Sequence, residues 1–190
     1  MTQTYYSGDW YMTISNEPPI CERSKIMKLS ELMSGKTPNP SYEGFATNDD
    51  WVLAMDIEDA GTEADFVVAQ MGVAGIDPQL NPVTQDKQYI RTGVSTSKTG
   101  TQRSFVVSGD RYIGDAFQDF CFSLANAYGT GATVVKDYVY FNILTGKGEK
   151  GKASIIVNSD GGGNAGENSS ISIDIKSTGV APVEYTYVAA

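Results

Sequence analysis

The segment that comes nearest to a catalytic or binding motif is GKGEKGKA, residues 146–153. A phosphate-binding P-loop needs a Ser or Thr directly after its Gly-Lys pair, where the hydroxyl holds magnesium, and it leads into a helix. Here Ala153 takes the place of the hydroxyl residue, and a strand-like run follows. We therefore interpret the segment as a glycine-rich turn between two β-strands.

Other residues that could take part in catalysis or metal binding give weaker signals. Asp160, Asn164 and Glu167 offer oxygen ligands, but their spacing is not that of an EF-hand calcium loop. The chain contains no histidine, which excludes histidine-based triads, general bases and metal sites. Cys21 and Cys121 form no CxxC pair, which disfavours a zinc site or a disulfide framework. We expect no enzyme, cofactor or metal site, although a glycosidase built on two facing carboxylates stays formally open.

The composition limits the classes of protein to which this chain can belong. The 190 residues are enough for one domain with a core, and the 41% apolar content with 20 Gly and 11 Tyr favours a turn-rich β fold. The net charge of −9 excludes a protein that grips nucleic acid through phosphate contacts. The first residues lack the pattern of a signal peptide, and the chain has no run of 18 apolar residues. We expect a soluble protein made in the cytosol, without a membrane partner.

The chain divides into an N-terminal arm, residues 1–44, and a β domain, residues 45–190. The arm carries four of the seven prolines and no sustained period, apart from a helical spacing of Ile26, Leu29 and Met33. It either wraps its own domain or reaches a neighbouring subunit, and the sequence does not separate these alternatives.

The domain shows alternating runs typical of antiparallel strands. Residues 51–57 and 64–71 predict a hairpin, and further strands are expected within residues 103–113, 133–144, 153–158 and 170–176. In the last of these, Ile171, Ile173 and Ile175 point one way and polar residues the other. A long loop, about residues 72–101, is either a β-arm that projects from the core or a disordered excursion.

One helix is expected at about residues 115–128. Asp115 and Gln118 form a capping-box pattern, and Gly129 is placed to end the helix in left-handed geometry. Its apolar stripe should pack across one sheet face, and the residues expected to carry that packing are Phe117, Phe120, Leu124 and Tyr128. The predicted fold is mainly β: an antiparallel β-sandwich or partial barrel with one flanking α-helix, an extended N-terminal arm and a long loop.

This layout resembles the major tail tube proteins of long, non-contractile-tailed bacteriophages over roughly residues 45–178. The resemblance rests on GDAFQDFCFSLANAYG, a helix inserted between β-hairpins. It also rests on the closing strands in VKDYVYFNILTGKGEKGKASIIVNS and SISIDIKSTG, joined by a basic glycine turn and a polar glycine loop.

The resemblance implies a structural subunit of a virion tail, assembled in the cytoplasm of a bacterial host. Such subunits form hexameric rings whose inner strands close into one β-barrel, and the rings stack into a tube that conducts DNA during ejection. The implied partners are other copies of the chain, the tape measure, terminator and distal tail proteins, and DNA that passes without specific binding. Residues 1–44 and 72–101 would contact neighbouring copies.

Charged residues are the candidates for a DNA conduit. An acidic wall repels DNA across the last solvent layers, because the screening length is about 8 Å at physiological salt. We therefore assign to the lumen or its rims the acidic residues Asp49, Asp50, Asp56, Glu58, Asp59, Glu63, Asp65 and Asp174. An ordinary solvated hairpin face is the alternative. Lys147, Lys150 and Lys152 form a local basic cluster that is a candidate for ion pairs between subunits.

Two other functions stay open on the sequence. One is a different phage structural protein, such as a head decoration or tail-completion protein. The other is a β-sandwich module that binds carbohydrate or cell surfaces, which would place Trp10 and Trp51 on an exposed platform. Their alternation within strand patterns favours burial instead.

Overall fold

The computed structural model describes residues 26–188, which form an antiparallel sheet with three short helices and a projecting β-ribbon. The helices are α1 (Leu29–Leu32), α2 (Ala116–Cys121) and α3 (Leu124–Ala127). The strands are β1 (Trp51–Met55), β2 (Val67–Val68), β3 (Val73–Gln79), β4 (Pro82–Tyr89), β5 (Gly93–Thr101), β6 (Ser104–Asp110), β7 (Val135–Asn142), β8 (Lys147–Ser159), β9 (Ser170–Ser177) and β10 (Val183–Thr186).

Eight strands belong to one antiparallel sheet in the order β2-β1-β7-β8-β9-β6-β3, with β10 pairing to β8. One edge of β8 pairs with β7, and the other edge is divided, because β9 takes its C-terminal half and β10 its N-terminal half. The mainly β, antiparallel fold predicted from the sequence is therefore confirmed. The alternating isoleucines of β9 are buried as expected, each at 3% exposure or less.

Two apolar clusters lie on opposite faces of β1 and β7. Leu53 and Met55 pack with the isoleucines of β9 and with Phe117 of α2. Val52 and Ala54 pack outward against Leu29 of α1. α1 and β10 cover the second face of β1, so both of its faces are buried from Val52 onward.

The predicted single helix is wrong in its second half. The chain breaks at Phe122 and Ser123, where the Ser123 hydroxyl donates to the Phe120 carbonyl and competes with the helical ladder. The break rotates the rest of the stripe out of the core, so Leu124 is 77% exposed and Tyr128 is 81% exposed. Phe117 is buried as predicted, and Phe120 packs at the edge of the core.

The predicted end of that helix also differs. The glycine with a left-handed φ of 65° is Gly131, whereas Gly129 is not among the positive-φ residues. At the start, Asp115 accepts from the Gln118 backbone N–H at 2.9 Å, as a cap should. The Gln118 side chain does not complete the reciprocal capping box, because it binds other segments of the chain.

The segment predicted as a long loop is built of strands. β3 pairs with β6, and the ribbon then continues as the separate pair β4–β5, which we call the β-arm (residues 82–101). At the junction Asn81 has φ 39°, and its amide donates to the Gln102 carbonyl and the Ser104 hydroxyl. The alternative of a projecting β-arm, left open by the sequence, is therefore the observed one.

The glycine-rich segment at residues 146–153 is not a turn. All of it except Gly146 lies within β8, and the turn is at residues 143–146, where the Asn142 side chain accepts from the N–H groups of Leu144 and Thr145. A strand leads out of this segment, which agrees with the rejection of a P-loop. The other predicted connection, the polar glycine loop at residues 160–169, does join β8 to β9.

The described part of the N-terminal arm packs on its own domain. Leu29 and Met33 are buried, and the Leu29 N–H donates to the Phe66 carbonyl. The domain therefore includes residues before the expected boundary at residue 45. The predictions that concern residues 1–25 lie outside the described part of the chain. Between residues 26 and 188, every helix is too short or too polar to traverse a bilayer.

Candidate assembly surfaces

One polar cluster, formed by Arg103, Glu149 and Tyr138, stabilises the fold. Arg103 pairs with Glu149 at 2.6 Å and lies over the rings of Phe105 and Tyr140, while the Tyr138 hydroxyl donates to Glu149. Burial above all, and then the Glu149 carboxylate, raises the pKa of Tyr138 well above its ordinary value, so the phenol stays protonated. Within residues 26–188, no group of three or more Cys, Asp or Glu side chains could hold a metal ion.

The β-arm is the most exposed element of the fold. Every residue of β4 is exposed, and the tip presents apolar side chains, with Ile90 91% and Val94 64% exposed. A two-stranded ribbon is marginally stable in water on its own, and three or more strands or a packed face are normally needed. Residues 26–188 therefore do not supply the packing that such a ribbon needs.

The two strands that end the main path of the sheet, β2 and β3, differ in how their outer edges are covered. β2 is covered by the N-terminal segment, since Lys28 bridges to Val67 and the Val68 N–H donates to the Met27 carbonyl. β3 pairs with β6 on one side, and no strand within residues 26–188 pairs with its other side. An unpaired edge is a template for another strand.

A hollow of about 340 Å³ lies beside that uncovered edge, between β3 and the start of β1. We call it the seam hollow. Its lining is mixed in polarity. Asp49 and Lys36 are among the polar residues, and the apolar side chains include Leu32, Val52, Val68, Val73, Ile76 and Ile143. The hollow is therefore a recess of mixed polarity beside an edge with which no strand of residues 26–188 pairs.

The acidic residues proposed for the lumen do not form one uniform face. Asp56 is buried and accepts from the N–H groups of Ala60 and Gly61, so its role is to hold the following loop. This burial corrects its assignment to a lumen surface. Asp50 accepts from the Thr47 backbone N–H and hydroxyl in the turn before β1.

Most of the remaining acidic residues have cations beside them in the same chain. Lys28 lies between Glu58 and Asp65, and the hydrogen bond that its ammonium donates to Asp65 is the main cause that raises the Lys28 pKa. The other pairs are Lys136–Asp59, Lys150–Glu63 and Lys176–Asp174. In the described segment, Asp49 alone of the eight makes no side-chain hydrogen bond or ion pair.

The basic cluster predicted for contacts between subunits also has partners in its own chain. Lys150 binds Glu63, Lys152 binds Asp137, and the Lys147 ammonium donates to the Pro40 carbonyl at 3.2 Å. The hydrogen bond that the Lys152 ammonium donates to Asp137 raises the pKa of Lys152. Pairing of these lysines between subunits stays a prediction.

The described aromatic residues do not favour a carbohydrate platform. Trp51 is 37% exposed, but it stacks on Tyr140 with ring centroids 5.1 Å apart, so one of its faces is covered. The exposed tyrosines Tyr89, Tyr112 and Tyr128 lie on separate elements. Trp10 lies outside the described residues.

Sequence reasoning missed two features that decide these surfaces. β10 was not predicted, although Val183 and Tyr185 alternate with polar residues. The uncovered edge of β3 had no sequence signal, because it depends on which strands pair. No protein-family model matches the chain, and comparison with curated proteins also found no match.

Proposed function

We propose that this protein is a structural subunit of a bacteriophage tail tube, which assembles into stacked hexameric rings and forms a conduit for DNA. One observation carries the proposal: within residues 26–188 the edge strand β3 is unpaired on its outer side, and it continues directly into an exposed β-arm. These are the two kinds of surface that a ring-forming and stacking subunit needs. The number of subunits in a ring and the tail location come from the family resemblance alone.

Ring closure would use the uncovered edge of β3. Addition of a strand from a neighbouring copy satisfies the free backbone groups and extends the sheet, and a ring of such additions leaves no free edge.

Passage of DNA would depend on charge. The chain carries −9, so DNA is not held by phosphate contacts of the kind that basic proteins make. Asp49, Glu58 and Asp59 are exposed candidates for the lumen or its rims. Because Glu58 and Asp59 lie near lysines of the same chain, the repulsion they exert is weaker than that of two carboxylates without a neighbouring cation.

Electron microscopy of the purified full chain tests the proposal. We expect annular particles with a central channel, and tubes of stacked annuli at higher concentration. Monomers at all concentrations would refute it. Monomers that bind glycans would favour a surface-binding module, and particles that bind only capsids would favour a head decoration protein.

Removal of the β-arm tests its part in stacking. Replacement of residues 82–101 by an Asn-Gly turn joins Asn81 to Gln102 and keeps the β3–β6 pairing. We expect rings that do not stack, with the unfolding temperature of the body within a few degrees of the wild type. Tubes of normal length would exclude a stacking role, and loss of the folded body would be detected by circular dichroism.

A further inference from the structure

The tip of the β-arm combines apolar side chains with a positive charge. Ile90 and Val94 are exposed, and Arg91 lies beside them in a left-handed conformation with φ 71°. The β-arm has three basic residues and one acidic residue, so it carries +2. The rest of the chain, with eleven basic and twenty-two acidic residues, carries −11. The β-arm is thus complementary in charge to the body of another copy.

The tip cannot use the recess of its own chain. An eight-residue strand extends about 26 Å, and the β-arm begins beyond Gln79, at the end of β3 remote from the half that lines the seam hollow. The Asn81 amide fixes the junction by donating to Gln102 and Ser104. The tip would have to fold back through this junction, so the recess it can occupy belongs to a second copy.

The hollows differ in whether their carboxylates are free to receive a cation. The hollow between β8 and residues 180–183 contains Glu63 and Asp137, which are already paired with Lys150 and Lys152. In the hollow beside Trp51 and Pro78, Glu149 is paired with Arg103.

The seam hollow is different. It contains Asp49, which makes no hydrogen bond or ion pair within residues 26–188, together with Lys36. The apolar side chains in its lining match an aliphatic side chain, and Asp49 matches a guanidinium.

We propose that the β-arm tip of one copy docks in the seam hollow of a second copy, with Ile90 among the apolar side chains of Leu32 and Val68 and Arg91 paired with Asp49. This inference rests on the proposed self-assembly and names the surface that receives the β-arm. The Ile90 side chain supplies the buried apolar contact, and the ion pair sets its orientation.

Disulfide trapping between two different variants tests the contact. The Ile90→Cys protein and a size-tagged Ala74→Cys protein are prepared with Cys21→Ser in both, mixed, and oxidised. Ala74 lines the seam hollow and is exposed. In the control mixture, a Val180→Cys protein takes the place of the Ala74→Cys protein. Val180 is an exposed residue of the hollow between β8 and residues 180–183.

We expect the mixed dimer of Ile90→Cys with Ala74→Cys to form at least about tenfold faster than the control dimer, since tenfold corresponds to about 1.4 kcal/mol of preference. Equal rates, or faster trapping by Val180→Cys, would overturn the assignment of the hollow.

Charge reversal gives a second readout. Arg91→Glu and Asp49→Arg are each expected to raise the protein concentration needed for tube formation about tenfold, and the double variant is expected to return within about twofold of the wild type. Lys98→Glu makes the same charge change in the middle of the β-arm and should shift that concentration by no more than about twofold. No recovery in the double variant would exclude the ion pair.

The two proposals fail in different ways. Wild-type tubes without trapping and without charge recovery would overturn the docking and leave the tube proposal standing. A wild type that forms no rings would overturn both.

Discussion

At the scale of single residues, Gln118 joins three segments around the start of α2. Its amide nitrogen donates to the carbonyls of Met71 and Asp110, and its amide oxygen accepts from the Tyr112 N–H at 2.9 Å. The side chain is completely buried. These bonds fasten the β2–β3 connection and the end of β6 to the helix that closes the core.

Gln118→Leu keeps the size of this side chain and removes its hydrogen bonds. Two carbonyls and one N–H are then left without their partner in a buried site, so we expect a loss of about 2 to 4 kcal/mol in the free energy of unfolding. Urea denaturation measures it. Gln88→Leu, the same change on the exposed β-arm, should stay within about 0.5 kcal/mol. Equal effects of the two changes would argue against the role of Gln118.

Cys121 provides a prediction about reactivity. Its thiol is completely buried, and burial raises its pKa from 9.0 to about 12. At pH 8 we expect no reaction of Cys121 with a disulfide reagent in the Cys21→Ser protein until denaturant unfolds the chain, because the thiolate is the reactive form. Rapid labelling of the native protein at pH 8 would contradict the burial.

The same shift of the Cys121 pKa has a consequence for stability. The unfolded thiol ionises near pH 9 and the folded thiol near pH 12, so the unfolded state binds fewer protons in this window. The contribution of Cys121 is therefore fully present below pH 9 and is lost as pH rises towards 12. Cys121→Val should remove this part of the pH dependence.

At the scale of elements, β8 organises the sheet because three strands pair with it. Gly148 lies in register between Phe141 of β7 and Tyr185 of β10. The rings of these two residues meet across it with centroids 5.5 Å apart. A glycine here allows the backbones and rings to approach closely.

Gly148→Ala should disrupt this row. A Cβ at residue 148 would lie 2.1 Å from the Tyr140 carbonyl oxygen and 2.5 Å from the Phe141 Cβ. We expect a loss of about 1 to 3 kcal/mol in the free energy of unfolding, measured by thermal or urea denaturation. Gly161→Ala, in the loop after β8, has no atom closer than 3.8 Å to the added methyl group and should have little effect. An unchanged stability of Gly148→Ala would refute the close packing.

At the scale of the whole molecule, net charge opposes the proposed assembly. Each copy carries −9, so copies repel one another at distances up to the screening length. Within a copy, Lys28, Lys136 and Lys150 each pair with a carboxylate in the segment between β1 and β2, which lowers the local repulsion. Most of the free energy of association must therefore come from apolar contacts and strand pairing, and the proposed Arg91–Asp49 pair sets the orientation of one contact.

Added salt should promote assembly. Raising NaCl from 50 to 500 mM shortens the screening length from roughly 14 Å to roughly 4 Å, so the repulsion between bodies falls while apolar burial persists. We expect the concentration needed for tube formation to fall several-fold, as measured by light scattering and electron microscopy. A rise with salt would show that ion pairs between copies dominate the assembly.

The sequence by itself determined the class of the fold and much of its local detail. Alternation predicted β9, because the side chains on one face of a strand recur at every second residue. The runs that form β1 and β7 were also predicted to be strands. Asp115 was recognised as a cap, since its interaction lies within one turn of the chain. The absence of histidine and the acidic net charge also required no structure.

The tertiary structure alone decided the pairing of strands and the fate of side chains whose partners are distant in sequence. The acidic run at residues 49–65 looked uniform, but the fold buries Asp56 and brings lysines from other elements to Glu58, Asp59, Glu63 and Asp65. Leu124 kept the helical spacing, yet the break at Ser123 turned it to solvent. Burial, ion pairing and a free sheet edge are properties of the three-dimensional neighbourhood, and a one-dimensional pattern contains them only where the contacts are local.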